Sequence, residues 1–339
     1  MSLEQQIFLL LNLTRRESEY GTEITPRSSW YQFNGPGLMQ FNQEAYSDIE
    51  EINGTQYEKS STVVKKMTKG TISFRISPEL FPYFLGAMMA NLSTTGTTNF
   101  VHLIKAPGAG TNQPWSIGAT QAQDRSDTGS FAGYDGLVPN STEFSIDDAG
   151  IIPCTVEVLG DGSETDKSAT PPPDLNSILS TTQMLKKDLK VYLDNSDGST
   201  EITAQFRRLN FRINANIQQI WTPASGEKVG EVYYGSGANP SVECELILKG
   251  RRGGAFYNYY SQQTSLVLKV NLIDTDDSNK FIKFTGHQCH VDPAAGDVLD
   301  YDETGPIIRM PLIFQYDPTE ATPWTWEIGN TIPLYLAPS

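Results

Sequence analysis

"TISFRISPELFPYFLGAMM", residues 71–89, changes its period part-way along. Up to Ser77 it alternates, with Ile72, Phe74 and Ile76 on one side and Thr71, Ser73, Arg75 and Ser77 on the other, the pattern of a half-buried strand. Beyond Pro78, the residues Leu80, Phe81, Phe84, Leu85, Met88 and Met89 recur at the spacing of a helix face. Phe81, Phe84, Leu85 and Met88 are the candidate anchors of that helix on a sheet. A strand therefore runs straight into an amphipathic helix.

The same order occurs again. In "SVECELILKGRRGGAFYNYYSQQ", 241–263, Val242, Cys244, Leu246 and Leu248 alternate with Glu243, Glu245 and Lys249. Phe256, Tyr259, Tyr260 and Gln263 then follow at helical spacing. Trp30 precedes a long loop before the first unit, and Trp221 a shorter one before the second. After each helix comes a glycine in a polar stretch, Gly133 and Gly286. Each unit closes on an apolar strand marked by proline, "IIPCTVEVL" (151–159) and "IIRMPLIFQY" (307–316). The spacing between counterparts shrinks along the chain, so the first half needs a longer connection, and "TTGTTNFVHLIKAPGAGTNQPW" (94–115) is the candidate insert. The stretch "GDGSETDKSATPPPD" (160–174) is polar and ends in three prolines, which favour an extended connection. This order implies a first domain over 1–160, an acidic proline-rich linker over 161–174 and a second domain over 175–339.

The expected fold is mainly β (α+β): two tandem domains, each a β-sandwich or curled antiparallel sheet flanked by one α-helix. The helix covers an apolar sheet face supplied by rows such as Ile72/Phe74/Ile76 and Leu209/Phe211/Ile213. The opposite rows are polar: Ser73, Arg75, Thr155, Glu157, Arg208, Asn210, Arg212, Glu243 and Glu245. A sheet with one wet face is mostly antiparallel, and its edges must be closed or paired with another chain.

Composition limits the partners. The chain has 339 residues, 38% of them hydrophobic and 19% charged, with a formal net charge of −15. Such a charge repels nucleic acid and anionic membranes but lets nucleic acid pass without sticking. Cys154, Cys244 and Cys289 are few and far apart, which fits reduced core thiols. The apolar run "IFLLLNL" (7–13) is too short to span a membrane and follows Glu4 rather than a basic residue, so no membrane partner and synthesis in the cytoplasm are expected.

Chemistry is sparse. In "HQCH" (287–290) a regular strand places His287 and Cys289 on one face and His290 on the other, so the three do not converge on a metal. "LDNSDGSTE" (193–201) and "DTDDSN" (274–279) lack calcium-loop spacing and read as turns. "GAGTNQP" and "GSGANP" lack the Gly-Lys-Ser/Thr of a phosphate loop, and no nucleophile stands in a base motif. No catalytic residue, metal or cofactor is expected.

Four features together resemble one family. They are a Trp and a long loop before the first strand, "GTISFRISPELFPYFLGAMM" (70–89), "FAGYDGLVPNSTEFSIDDAGIIPCTVEVLG" (131–160), and a proline linker leading to "RRLNFRINANIQQ" (207–219). Such a chain resembles the tail tube proteins (major tail proteins) of long-tailed bacteriophages, in the subgroup with a duplicated tube domain. The resemblance implies a structural virion protein, made in the host cytoplasm and located in the tail. Its subunits join sheet edge to sheet edge into rings, and the rings stack into a conduit for DNA. The partners implied are further copies of the chain, the tape-measure protein and passing DNA in the lumen, without sequence-specific binding, and tail terminator and baseplate proteins. Single-domain relatives form six-membered rings, so a duplicated chain implies three chains per ring. The polar rows named above become the candidate lumen face. The loops carrying Trp30, Tyr46, Asp48, Glu50 and Glu51, and Trp221, Tyr233 and Tyr234, become the candidate ring-stacking contacts. One feature fits poorly: Arg75, Arg208, Arg212 and Arg309 would make a DNA conduit basic. The rival readings are a secreted carbohydrate-active or carbohydrate-binding β-sandwich module, and another virion part of the same fold, a tube terminator or baseplate hub.

Overall fold

The change of period at Ser77–Pro78 is a change of structure. In the computed structural model of the chain, the strand Thr55–Arg75 ends there and the helix Phe81–Met89 begins. The structure describes residues 7–338 except 12–14, 22–28, 34–39, 53–54, 109, 123–130, 148–149, 164, 167–180, 236–239, 297, 304 and 334, and for much of the segment 7–62 it describes the backbone alone.

The first half runs β1 (Ile7–Leu11), β2 (Arg15–Arg16), β3 (Ser29–Phe33), β4 (Gln40–Ile52), β5 (Thr55–Arg75), α1 (Phe81–Met89), β6 (Leu92–Gly96), β7 (Phe100–Lys105), β8 (Ile117–Ala122), β9 (Phe131–Ile146), β10 (Pro153–Gly160) and β11 (Thr165–Asp166). The second runs β12 (Leu189–Asp194), β13 (Phe206–Asn214), β14 (Ile217–Ile220), β15 (Glu231–Tyr234), β16 (Ser241–Lys249), α2 (Ala255–Ser261), β17 (Leu266–Ile273), β18 (Phe281–Val291), β19 (Leu299–Asp302), β20 (Gly305–Phe314), β21 (Trp324–Asn330) and β22 (Ala337–Pro338). The fold is mainly β, with two α-helices among the described residues and one large multistranded sheet.

One antiparallel path carries that sheet: β4, β5, β10, β9, β13, β16, β20, β18. At β18 it forks, to β17 and β12 on one side and to β21, β7 and β6 on the other. At β9 it also branches, to β8, β1 and β3. No path returns to a strand already passed, so among the described residues the sheet is open and branched and is not curled into a closed wall. The cause is that β9 and β18 are long enough for their two ends to pair with different neighbours.

Between the branches lies a large core drawing residues from both halves, from Leu11 to Leu336. At its centre Trp326 meets Phe81, Phe144, Phe211 and Phe284 edge-on or tilted, with ring centroids 4.8–6.0 Å apart. The candidate insert is the β6–β7 hairpin, and β7 pairs with β21, so this segment of the first half fastens it to the second.

α1 is apolar around its whole circumference, and all nine of its residues are buried. That is more than an amphipathic stripe: Leu92 and Leu336 close on Gly86, the Trp115 N–H donates to Ala87 O, and the Tyr234 hydroxyl donates to Met88 O. Ser77 Oγ accepts the Leu80 N–H at 3.2 Å, and the helix stops at Ala90 in the left-handed region, φ 48°. α2 differs, because none of its residues is fully buried.

Two expectations need correction. The segments read as loops are hairpin arms: β4 pairs with β5 along its length, and β14–β15 extend the β13–β16 pair in the same way. Backbone pairing satisfies a strand whatever its side chains, so polar sequence hid both arms. In β18 a bulge places Cys289 opposite Leu266 but Gly286 opposite Leu268. The extra residue breaks the alternation, so Cys289 points into the core while His287 and His290 lie on the other side, half-buried.

Candidate functional site

The polar rows converge on one face of the main sheet. Register brings Thr155 opposite both Ser73 and Glu143, Arg212 opposite both Glu143 and Glu243, and Asn210 opposite Glu245. The strands alternate strictly here, so these residues share the side away from the core. Thr155, Asn210, Arg212, Glu243 and Glu245 line a trough of about 960 Å³ on this face. Ser73 reaches it through a 3.4 Å contact between its hydroxyl and that of Thr155.

Five cations of this face are engaged. Arg212 Nε donates to Glu143 at 2.9 Å, Arg208 lies 3.6 Å from Asp147, and Arg309 Nε donates to Asp300 at 2.8 Å. Lys69 sits 2.7 Å from Glu157, and Arg75 Nη1 donates to Gln183 at 2.6 Å. The Lys69 hydrogen bond holds the Glu157 carboxyl below its ordinary range, and Arg309 does the same for Asp300. Glu243 stands opposite Arg212, whose Nε is already bonded to Glu143, and Glu245 accepts from Asn210 Nδ2 at 2.9 Å, so both add negative charge. The face is therefore acidic to neutral, which removes the objection that its arginines raised. Sequence reasoning missed the acid partners Glu143 on β9 and Asp147 just past its end. The alternation in "NSTEFSID" (140–147) was the signal for them.

The candidate stacking residues fall in two places. Trp30 is in β3, and Tyr46, Asp48, Glu50 and Glu51 are in β4, where the backbone alone is described. The second group lies on the hairpin β14–β15, which folds against the first half of the same chain. Tyr234 O–H donates to Met88 O of α1 at 2.8 Å and its N–H to Asn112 O at 3.0 Å. The Trp221 ring lies 5.1 Å from Lys65 Nζ, and Tyr233 O–H donates to Glu231. Val229 N–H donates to Asp161 O, and Lys66 N–H to Glu227 O. Of the expected linker 161–174, residues 161–163 and 165–166 are described, and they are fastened: a side chain at Gly162 would meet the backbone of Lys66 at 2.5 Å. The rest of that linker lies outside the described residues.

The four candidate helix anchors, Phe81, Phe84, Leu85 and Met88, are all fully buried. The acidic stretch 193–201 is a turn in which Asp194 accepts the N–H groups of Ser196, Gly198, Ser199 and Thr200. Among the described residues no group of three or more His, Cys, Asp or Glu is placed to hold a metal, and no helix is long and apolar enough to cross a membrane.

A broad open polar face, paired charges and exposed sheet edges suit assembly rather than turnover. No curated protein matches the chain. The sequence profile of the phage tail tube protein matches residues 10–308, most of its length. The chain belongs to the phage tail tube protein family, a structural and non-catalytic component of the virion.

Proposed function

We propose that three chains close one ring of the tail tube, each supplying two copies of the tube unit, and that stacked rings form the conduit for DNA. The observation that carries this reading is the pairing of β9 with β13, which runs one antiparallel sheet from the first half into the second. Each half repeats one order: a hairpin arm, a strand, a helix, and a later strand laid on the first. Phe74 precedes Phe81 by the same interval that separates Leu248 from Ala255. Cys154 pairs opposite Phe74, and Ile308 opposite Leu248.

The face bearing Ser73, Arg75, Thr155, Glu157, Arg208, Asn210, Arg212, Glu243 and Glu245 lines the lumen, where it meets the tape-measure protein and passing DNA without reading sequence. The tips of the two arms make stacking contacts between rings. The end rings meet terminator and baseplate proteins. The protein is made in the host cytoplasm and works in the virion tail. A cryo-electron reconstruction of assembled tubes tests this. The expected result is three chains per ring with pseudo-sixfold shape. Six chains per ring would overturn it.

A further inference from the structure

The two helices occupy corresponding positions but not corresponding surroundings. α1 is buried throughout, and part of its cover is the β14–β15 hairpin, which reaches across from the second half and sets the Tyr234 hydroxyl on Met88 O. Among the described residues no hairpin arm covers α2 in this way. Phe256, Tyr257, Tyr259 and Tyr260 are half-buried against the core, Ala255 and Ser261 are exposed, and no residue of the helix is fully buried. Tyrosine-rich surfaces of this kind favour burial at interfaces.

We propose that α2 is the seat for the β4–β5 arm of a second copy of the chain. The chain itself supplies the pattern. At the seam between its halves, an arm whose first strand pairs with the edge of the neighbouring unit also lies across that unit's helix. The β4–β5 arm has the same build as the β13–β16 arm, and among the described residues β4 is paired on one side only. Beside α2, where Tyr260 O–H reaches Gly296 O, the matching strand is β19, which among the described strands pairs with β20 and carries Tyr301 at 72% exposure. The second copy's arm completes at α2 what the chain's own second arm completes at α1. The arm is thus engaged sideways near its base, within a ring, and only its tip remains for stacking.

This inference rests on the ring reading, and the test separates the two. Ser60 stands as far ahead of α1 as Tyr234 stands ahead of α2, and Gln262 stands as far past the start of α2 as Met88 past the start of α1. The native thiols Cys154, Cys244 and Cys289 are buried, so introduced cysteines dominate oxidation. Full-length Ser60→Cys and Gln262→Cys chains, mixed, assembled and mildly oxidised, are expected to give covalent dimers that neither variant gives alone and that reductant dissolves. Tubes that form from the mixture without such dimers overturn the inference and leave the ring reading standing. Native chains that form neither rings nor tubes in electron micrographs overturn both. As an independent measurement, Ser261→Arg is expected to leave the melting temperature of the unassembled chain unchanged and to abolish assembly. Normal tubes from that variant would mean that α2 faces no neighbour.

Discussion

Phe144 and Phe211 are stacked, their ring centroids 5.2 Å apart and their planes 18° from parallel. They stand opposite each other on β9 and β13, so one aromatic pair joins the two halves from the core side, while Glu143 and Arg212 join them on the polar side. Phe211→Ala is expected to cost about 3–5 kcal/mol through lost burial and the cavity left behind. The seam is shared, so both halves should melt in one transition at a lower temperature. Calorimetry showing two separate transitions would mean that the halves are energetically independent.

Phe84 is fully buried and packs on Phe74 at 5.6 Å and Tyr83 at 5.2 Å. Phe84→Ala should destabilise the chain by about 3–5 kcal/mol. Phe84→Leu, which keeps most of the volume, should cost about half of that or less. Denaturant titration of both variants checks the order. Equal midpoints for the Ala variant and the native chain would place α1 outside the cooperative core.

Stability should fall as the pH rises through a window set by Glu17. Burial pushes its carboxyl up to about 8, against the N–H donors of Gly136 and Gly21 and the Ser116 hydroxyl, with Asp135 adding repulsion. The folded state thus keeps a proton that the unfolded state has released. The folded state binds the extra proton, so stability is highest below the ordinary carboxylate range and is lost as the pH rises towards about 8. Asp161, also raised by burial, adds to the slope in the same direction. Denaturation midpoints across this range should slope downward for the native chain and less so for Glu17→Gln. Parallel slopes would show that Glu17 titrates normally.

The polar trough should tolerate changes of charge but not of sign. Arg212→Ala removes one half-exposed ion pair and should shift stability by less than about 1 kcal/mol. Glu243→Arg with Glu245→Arg reverses two acids that line the trough. Assembled tubes of this variant should retain double-stranded DNA at low salt and release it at high salt, while native tubes retain none. DNA retention equal to that of native tubes would place the trough outside the lumen.

Much of the fold was legible because burial leaves a period in the sequence. The strand Ile72–Ile76, the helix after Pro78 and the row Leu209/Phe211/Ile213 stand where alternation and helical spacing put them. The arms were not legible as strands. Apolar alternation marks a strand against a core, and "YSDIEE" carries little of it, although Asn53-Gly54 was a hairpin dipeptide in plain view. The β18 bulge was also invisible, since one extra residue changes which side Cys289 faces without changing its neighbours in sequence. The polar face could be read as a face, but not as a balanced one: the partners Glu143 and Asp147 come from another strand, and only register decides that they meet Arg212 and Arg208. The full burial of α1 depended on cover from Tyr234, Trp115 and Leu336, all distant along the chain.

Asn330 sets a schedule for synthesis. Its Nδ2 donates to Pro78 O at 2.6 Å, its Oδ1 meets His102 Nε2 at 3.0 Å, and the neighbouring Tyr335 hydroxyl donates to Glu79 O at 2.8 Å. The turn that launches α1 is thus held by residues made some 250 positions later. A ribosome that has produced the first half has produced a chain whose helix still lacks its anchor. These contacts can close only after translation has passed Tyr335, so the launch of α1 is among the last parts of the fold to be fastened.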